Sequence, residues 1–191
     1  MTRNQVGRPR DASIDARALE ATRQLLVEVG FTATTIQAVA ERSGVHASAI
    51  YRRWPSRHEL IQDAAFSELT AKQVRPTGDL RHDLRRFLRG YVATFDSPVV
   101  RAAMPGLPAG NRPGGRAPEA WRRLSVRPQF REILAAAPPG AVDPAVDPDD
   151  VFDLLLGSVL VRVLVPEEVR RPGPIERTVD LLVRALSPAV P

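Results

Sequence analysis

Apolar positions recur at Ile14, Ala18, Ala21, Leu25 and Val29, with Leu19 and Leu26 widening the stripe. That is the 3.6-residue period of a helix lying on a core. Gly30 ends it as a left-handed residue after the last turn, and Phe31 brings the chain back to the core. A short second helix is predicted from the capping-box spacing of Thr34 and Gln37, with Ile36, Val39 and Ala40 as its buried face. Ser43-Gly44 closes it. A third helix is predicted from about His46 to Trp54, where Pro55 and Ser56 interrupt. Ser56 and Glu59 repeat the capping spacing and open a longer helix through Leu60, Ile61, Ala64, Ala65 and Leu69, which Pro76-Thr77-Gly78 closes.

Further along, Leu80, Leu84, Phe87, Leu88, Tyr91, Val92 and Phe95 make an amphipathic helix ending at Ser97-Pro98, and Val99–Met104 adds one or two helical turns. Residues 105–118 hold four prolines and four glycines, which exclude a continuous helix and predict a mobile excursion. Helix resumes over Glu119–Ala137, with Pro128 expected to kink or divide it. After a proline-rich linker, Asp149-Asp150 open an apolar helix, Val151–Val165. A last amphipathic helix is predicted for Ile175–Leu186. Strand signals are absent from the first half. The expected fold is all-α, with a flexible basic arm (1–11), a small front domain (12–58) and a larger helical rear domain (59–191).

The stretch from Ser43 to Arg57 is the most informative. Gly44 permits the positive φ of a sharp turn, Val45 fills the bend, and Ile50 and Trp54 pack the third helix down. Two helices joined by so short a turn make a helix-turn-helix corner, whose second helix can enter a DNA major groove. Its amides suit a phosphate, and Tyr51, Arg52, Arg53 and Arg57 could reach backbone or base edges. The same corner also occurs in helical proteins that never meet DNA, and three arginines at a helix end are often a solvated face. Trp54 reads as core, Tyr51 fits either side, and His46 fits an N-cap or a groove contact.

Composition narrows the chemistry. With no cysteine, disulfides, thiol nucleophiles and cysteine-bound zinc are excluded. His46, His58 and His82 lack metal-ligand spacing, and no triad or glycine-rich phosphate loop occurs, so neither an enzyme, a metal nor a cofactor is expected. The net charge is +5, with nine arginines against six acids in the first 60 residues and Lys72 the sole lysine. That balance permits nucleic-acid binding without establishing it. The apolar runs are too broken to span a bilayer, and no secretory signal heads the chain, so a soluble protein without a membrane partner is expected.

Taken in order, Ala18-Leu19-Glu20-Ala21, Gly30-Phe31, Thr34-Thr35-Ile36, Val39-Ala40, Gly44-Val45 and Ile50-Tyr51-Arg52-Arg53-Trp54-Pro55-Ser56-Arg57 with Leu60 closely resemble the N-terminal domain of the TetR family of bacterial transcriptional regulators. The resemblance implies a cytoplasmic, sequence-specific regulator. It places His46–Arg53 in the groove, with Thr35, Tyr51 and Arg57 on phosphates. The DNA-binding candidates are Thr35, His46, Ala47, Ser48, Tyr51, Arg52 and Arg57. Ala47 and Ala49 stand where the family commonly has Lys and Thr, which shifts base readout to His46, Ser48 and Arg52 or to thymine methyls.

Asp79-Leu80-Arg81, Asp149-Asp150-Val151, Leu154-Leu155-Leu156-Gly157 and Val179-Asp180-Leu181-Leu182 resemble one C-terminal subclass of the same family. This implies a homodimer through Val151–Val165 and Ile175–Leu186, and a small-molecule effector held among the rear helices. A helix apolar on every side independently asks for cover on its outer face. Phe87, Tyr91, Phe95, Met104, Trp121 and Phe130 are candidates to line the effector cavity, although each also fits an ordinary core position. A hydrophobic effector that releases a repressor from operator DNA is the expected mechanism. An activator or dual regulator with the same head, or a helical interaction module without DNA binding, is the alternative.

Overall fold

The computed structural model describes residues 12–71, 74–106, 125–165 and 174–188. The predicted arm (1–11), Trp121 and positions 107–118 of the predicted excursion lie outside them. Every regular element among the described residues is helical, as expected. In chain order they are α1 (Ala12–Ala33), α2 (Ile36–Ser43), α3 (Ala47–Tyr51), α4 (Arg57–Ala71), α5 (Leu80–Phe95) and α6 (Pro98–Ala103). A single 3-10 turn, Met104–Gly106, follows α6, and then come α7 (Arg127–Ala135), α8 (Pro148–Leu164) and α9 (Ile175–Leu186).

Two apolar clusters organise the chain. The front one joins Ala18, Ala21 and Leu25 of α1 to Ile36, Val39, Val45, Ile50, Trp54 and Leu60. The rear one holds Leu26, the other apolar face of α4 and the inward faces of α5 to α9, including Phe87, Tyr91, Phe95, Phe130 and Phe152. Helices α1 and α4 contribute to both, because each is apolar on two sides and buries one against each cluster. The rings of Phe87, Tyr91, Phe130 and Phe152 meet at centroid separations of 5.6–6.1 Å, the offset and edge geometries that aromatic quadrupoles favour.

Local chemistry explains the element ends, several of which depart from expectation. The cap of α2 is Thr35, whose Oγ1 accepts from Ala38 N at 3.1 Å. Thr34 is buried instead and donates its hydroxyl to the Gly30 carbonyl at 2.8 Å. Helix α3 is shorter than predicted and ends at Tyr51, since Arg53 N bonds to the Ile50 carbonyl three residues back rather than to Ala49 four back. Pro128 sits in the first turn of α7, where its missing N–H breaks no bond, so it starts that helix rather than kinking it. Ser56 does cap α4, accepting from Glu59 N at 3.2 Å. Helix α8 begins at Pro148 behind an Asp147 cap, one turn before the predicted Val151.

Ion pairs fasten the rear helices at their rims. Glu176 of α9 accepts from Arg85 Nε at 2.7 Å and from Arg89 at 3.0 Å. The hydrogen bond from Arg85 holds the Glu176 carboxyl below the usual glutamate range. Arg131 and Arg127 of α7 pair with Asp149 and Asp153 of α8. Asp83, 1% exposed, accepts from Thr77 N, Thr77 Oγ1 and Gly78 N, and so stitches the turn before α5 to that helix.

Front and rear meet where α1 ends. Gly30 has φ 75° and ψ 179°, a backbone region accessible almost only to glycine, and one further turn, Phe31–Ala33, follows it. The exposed carbonyls of that turn are met by the first residue of α4: an Arg57 guanidinium nitrogen donates to Phe31 O at 3.2 Å and Thr32 O at 3.0 Å. The guanidinium also lies 4.4 Å from the Phe31 ring centre, a cation–π contact. The tip of the same ring abuts Gly106, where a β-carbon would stand 1.9 Å from Phe31 Cζ.

Two outcomes are expected from this joint. Gly106→Ala should destabilise the fold by about 1–3 kcal/mol in urea unfolding, because the ring has to move. Adding Phe31→Ala should then cost less than the two single effects combined, a coupling the double-mutant cycle measures. Arg57→Ala should lower stability without DNA by about 1.5–3 kcal/mol, the range for hydrogen bonds to a charged group. An unchanged unfolding midpoint would remove Arg57 from the scaffold.

Candidate functional site

The corner is set by glycine and small apolar side chains. Gly44 takes φ 65° and ψ 20°, the left-handed cap that lets α2 stop and the chain reverse. Val45 and Ile50 are buried beneath the bend and anchor α3 to the front cluster. Ala47 and Ala49 are half-buried against that cluster, and their size lets α3 sit close to it. Trp54 is core, as read from the sequence, and its indole N–H donates to Asp63 Oδ2 at 2.9 Å.

His46, Ser48, Tyr51 and Arg52 are exposed together along the start, outer side and end of α3. His46 occupies the N-cap position of α3, yet its imidazole makes no capping hydrogen bond; its carbonyl instead accepts from Ala49 N and Ile50 N. Tyr51 is 55% exposed, which resolves the two options left by periodicity in favour of an outward ring. Thr35 is exposed at the start of α2, and its hydroxyl oxygen is already accepting, which leaves its O–H free to donate.

The basic tip seen in the sequence is divided. Arg53 turns inward, pairs with Asp15 of α1 and donates to the Ala49 carbonyl at 3.3 Å. Arg57 is engaged with the end of α1. Arg42 is held bidentately by Glu28 at 3.0 and 2.7 Å, tying α2 to α1. Arg23 donates to the Ala64 carbonyl at 3.0 Å and to Ser67 Oγ at 3.1 Å, tying α1 to α4. Arg52 alone of these is exposed without an ion pair or hydrogen bond from its side chain among the described residues. Asp15, Glu28 and the carbonyls that hold the others carry no local signature, so spacing does not reveal which arginines are occupied.

In the rear cluster, Phe87, Tyr91, Phe95, Met104 and Phe130 are all buried, largely against one another. Phe87 and Tyr91 also border a cavity of about 20 Å³, together with Gln129, which sequence reading did not single out. Burial pushes the Tyr91 phenol far above its ordinary range, with Arg127 opposing that shift. A larger cleft of about 250 Å³ lies between front and rear, bordered by Arg23, Ala64, Ala93 and Ser97. On the outer side of α8 and α9, Leu154 is 71% exposed and Leu181 60%, with Val161 and Leu164 also open. Among the described residues no group of His, Asp and Glu is arranged to hold a metal, and no helix is long and apolar enough to cross a membrane.

Comparison with known proteins agrees with this architecture at both ends. A family model described as the tetracyclin repressor-like C-terminal domain matches residues 74–182, and one for bacterial regulatory proteins of the tetR family matches residues 18–64. An uncharacterized HTH-type transcriptional regulator of Mycobacterium tuberculosis is 29% identical over 177 residues, covering 88% of this chain and 83% of the relative. The HTH-type regulator YdeS of Bacillus subtilis is 37% identical over 104 residues, 50% of this chain and 52% of that protein. The crystal structure of the TetR family regulator SCO0332 superposes with a TM-score of 0.69 at 29% identity, covering 92% of this chain and 100% of that one. A TetR regulator from Rhodococcus sp. RHA1 shares the fold with a TM-score of 0.62 at 20% identity, over 91% of this chain and 92% of its own. With both of its ends matched by models of one family, and the helix-turn-helix corner lying inside the first match, the chain belongs to the TetR family of bacterial helix-turn-helix transcriptional regulators.

Proposed function

We propose that this regulator is a homodimeric repressor whose two corners enter successive major grooves of an operator, and which a small molecule releases. The observation that carries the DNA contact is the outward group on α3: His46, Ser48, Tyr51 and Arg52 are exposed together while Arg53 and Arg57 are occupied inside. In this reading His46, Ser48 and Arg52 meet base edges and Ala47 lies against the groove wall. Thr35 and Tyr51 donate to phosphate oxygens. Arg57 is assigned to positioning the corner, in place of the phosphate contact that the resemblance implies.

Dimerisation is supported by Leu154, Val161, Leu164 and Leu181, large apolar side chains left open on α8 and α9. A second copy covering them satisfies the all-round apolarity of α8 and supplies the twofold axis that a palindromic operator requires. Half-sites are then spaced by about 34 Å or a multiple of it. An effector among the rear helices would act by favouring a head separation that no longer fits the operator. The passage of α6 into the turn that meets Phe31 offers a physical route between the two.

DNA selection on the purified protein, followed by fluorescence anisotropy, tests the corner. Arg52→Ala should weaken operator binding by about 1–3 kcal/mol if it pairs with a base, with the loss confined to operator-like duplexes. His46→Ala should change the preferred sequence; uniform weakening on all duplexes would assign it to the backbone instead. Sedimentation of Leu154→Glu/Leu181→Glu should give a helical monomer that no longer binds the operator. A wild-type monomer would remove the twofold reading.

A further inference from the structure

The acids of α1 are all engaged. Asp15 pairs with Arg53, Glu28 with Arg42 at 2.7 Å, and Glu20 with Arg23 at 3.3 Å and Gln24 Nε2 at 3.1 Å. On α2 and α4, Glu41 accepts from Gln37 Nε2 at 3.0 Å and Asp63 from the Trp54 indole. Arg57 is held by the carbonyls that end α1. Among the described residues of the front, two arginines remain outside this set, Arg52 and Arg17. Both are exposed, and neither side chain makes an ion pair or hydrogen bond there.

The two lie at opposite ends of α3. Arg52 follows its last residue. Arg17 belongs to α1, yet its guanidinium reaches the turn that precedes α3: a β-carbon at Gly44 would stand 4.0 Å from Arg17 Nη1. Gly44 is exposed and lies two residues before His46, the N-cap position of α3. From His46 to Arg52 the chain advances about 9 Å at helical rise. The major groove is about 12 Å wide, so a helix of that length set into it has a different phosphate strand beside each end.

The chemistry of Arg17 suits a phosphate. Its planar fork matches phosphate oxygens, and its charge is permanent. It is rooted on α1 rather than on the helix that enters the groove, so it approaches from the flank, where the backbone lies and base edges do not. No neighbouring acid competes for it, since Glu20, one turn along α1, is already taken. A cation in this state neutralises a phosphate without first breaking an internal pair, which Arg42, Arg53 and Arg57 would have to do.

We propose that Arg17 holds a backbone phosphate of the operator beside the start of α3, on the strand opposite the one that Tyr51 meets. The proposal rests on the reading that α3 enters the major groove. It adds to that reading a contact from outside the corner, which fixes the position of α3 along the duplex.

The test uses the full chain and two labelled duplexes of about 30 base pairs, room for two half-sites. One carries the sequence recovered by DNA selection and the other a scrambled sequence. Fluorescence anisotropy follows binding between about 0.05 and 0.2 M KCl. Arg17→Gln should flatten the slope of log affinity against log salt by about 0.9 per protomer on both duplexes. At about 0.1 M salt it should weaken binding roughly eightfold per protomer, the share of one released counterion. Arg17→Lys should restore most of the slope, because a point charge suffices for it. Without DNA, both variants should unfold at the temperature of the parent protein.

An unchanged slope in Arg17→Gln overturns the proposal, as does a loss confined to the selected duplex, which marks a base contact. Failure of Arg17→Lys to restore the slope overturns it as well. Earlier unfolding of Arg17→Gln with the slope unchanged would assign Arg17 to the end of α2, whose dipole favours a cation. A parent protein that binds neither duplex removes the groove reading itself, whereas a parent and variant that bind alike remove Arg17 alone.

Discussion

The end of α1 poses the problem around which the molecule is arranged. A helix leaves its last carbonyls without partners, and Gly30 breaks the helix where front and rear clusters meet. The guanidinium of Arg57 answers those carbonyls with a permanent charge and several donors, and the Phe31 ring closes over it while resting on Gly106. Because Arg57 is the first residue of α4, the same contact sets the angle at which α4 leaves the corner. The turn after α6, the Phe31 ring and Arg57 at the start of α4 are therefore packed in one continuous series behind the corner. Packing of this kind is stiff: a ring pressed on a glycine has no slack to absorb a displacement.

The arginines show how one residue type is put to two uses. Arg23, Arg42, Arg53 and Arg57 fasten α1 to α2, to α4 and to the region around α3. Exposed ion pairs contribute little stability each, but fork-shaped donors fix orientation as well as distance. The effect at the corner is to lock the scaffold from behind and leave Arg52 turned outward. The shortness of α3 contributes, since the chain leaves the helix after Tyr51 and Arg52 and Arg53 then point to different sides.

The rear bundle combines complete and incomplete satisfaction. Its aromatic rings pack against one another, and its rim charges are paired across α5–α9 and α7–α8. Against that background, the unpaired Gln129 amide and the open leucines of α8 and α9 stand apart. The first lies inside and is polar; the second lies outside and is apolar. The leucines in particular sit in a surrounding opposite to the one they favour.

Much of the fold was legible because it is local. The 3.6-residue period located nearly every helix, and α9 begins and ends at the residues expected. Gly44 and Ser56 marked turns by properties intrinsic to one or two residues. The misjudged points were competitions: Thr34 and Thr35 both suit a cap, and burial of Thr34 under the Gly30 carbonyl settled the matter. What sequence alone determined was therefore the set of helices, their apolar faces and the presence of a helix-turn-helix corner. Only the tertiary structure decided which arginines face inward and which polar groups go unpaired. Their partners lie 38 residues away for Arg53 and 25 and 26 for Arg57, and no periodicity along the chain records contacts made across it.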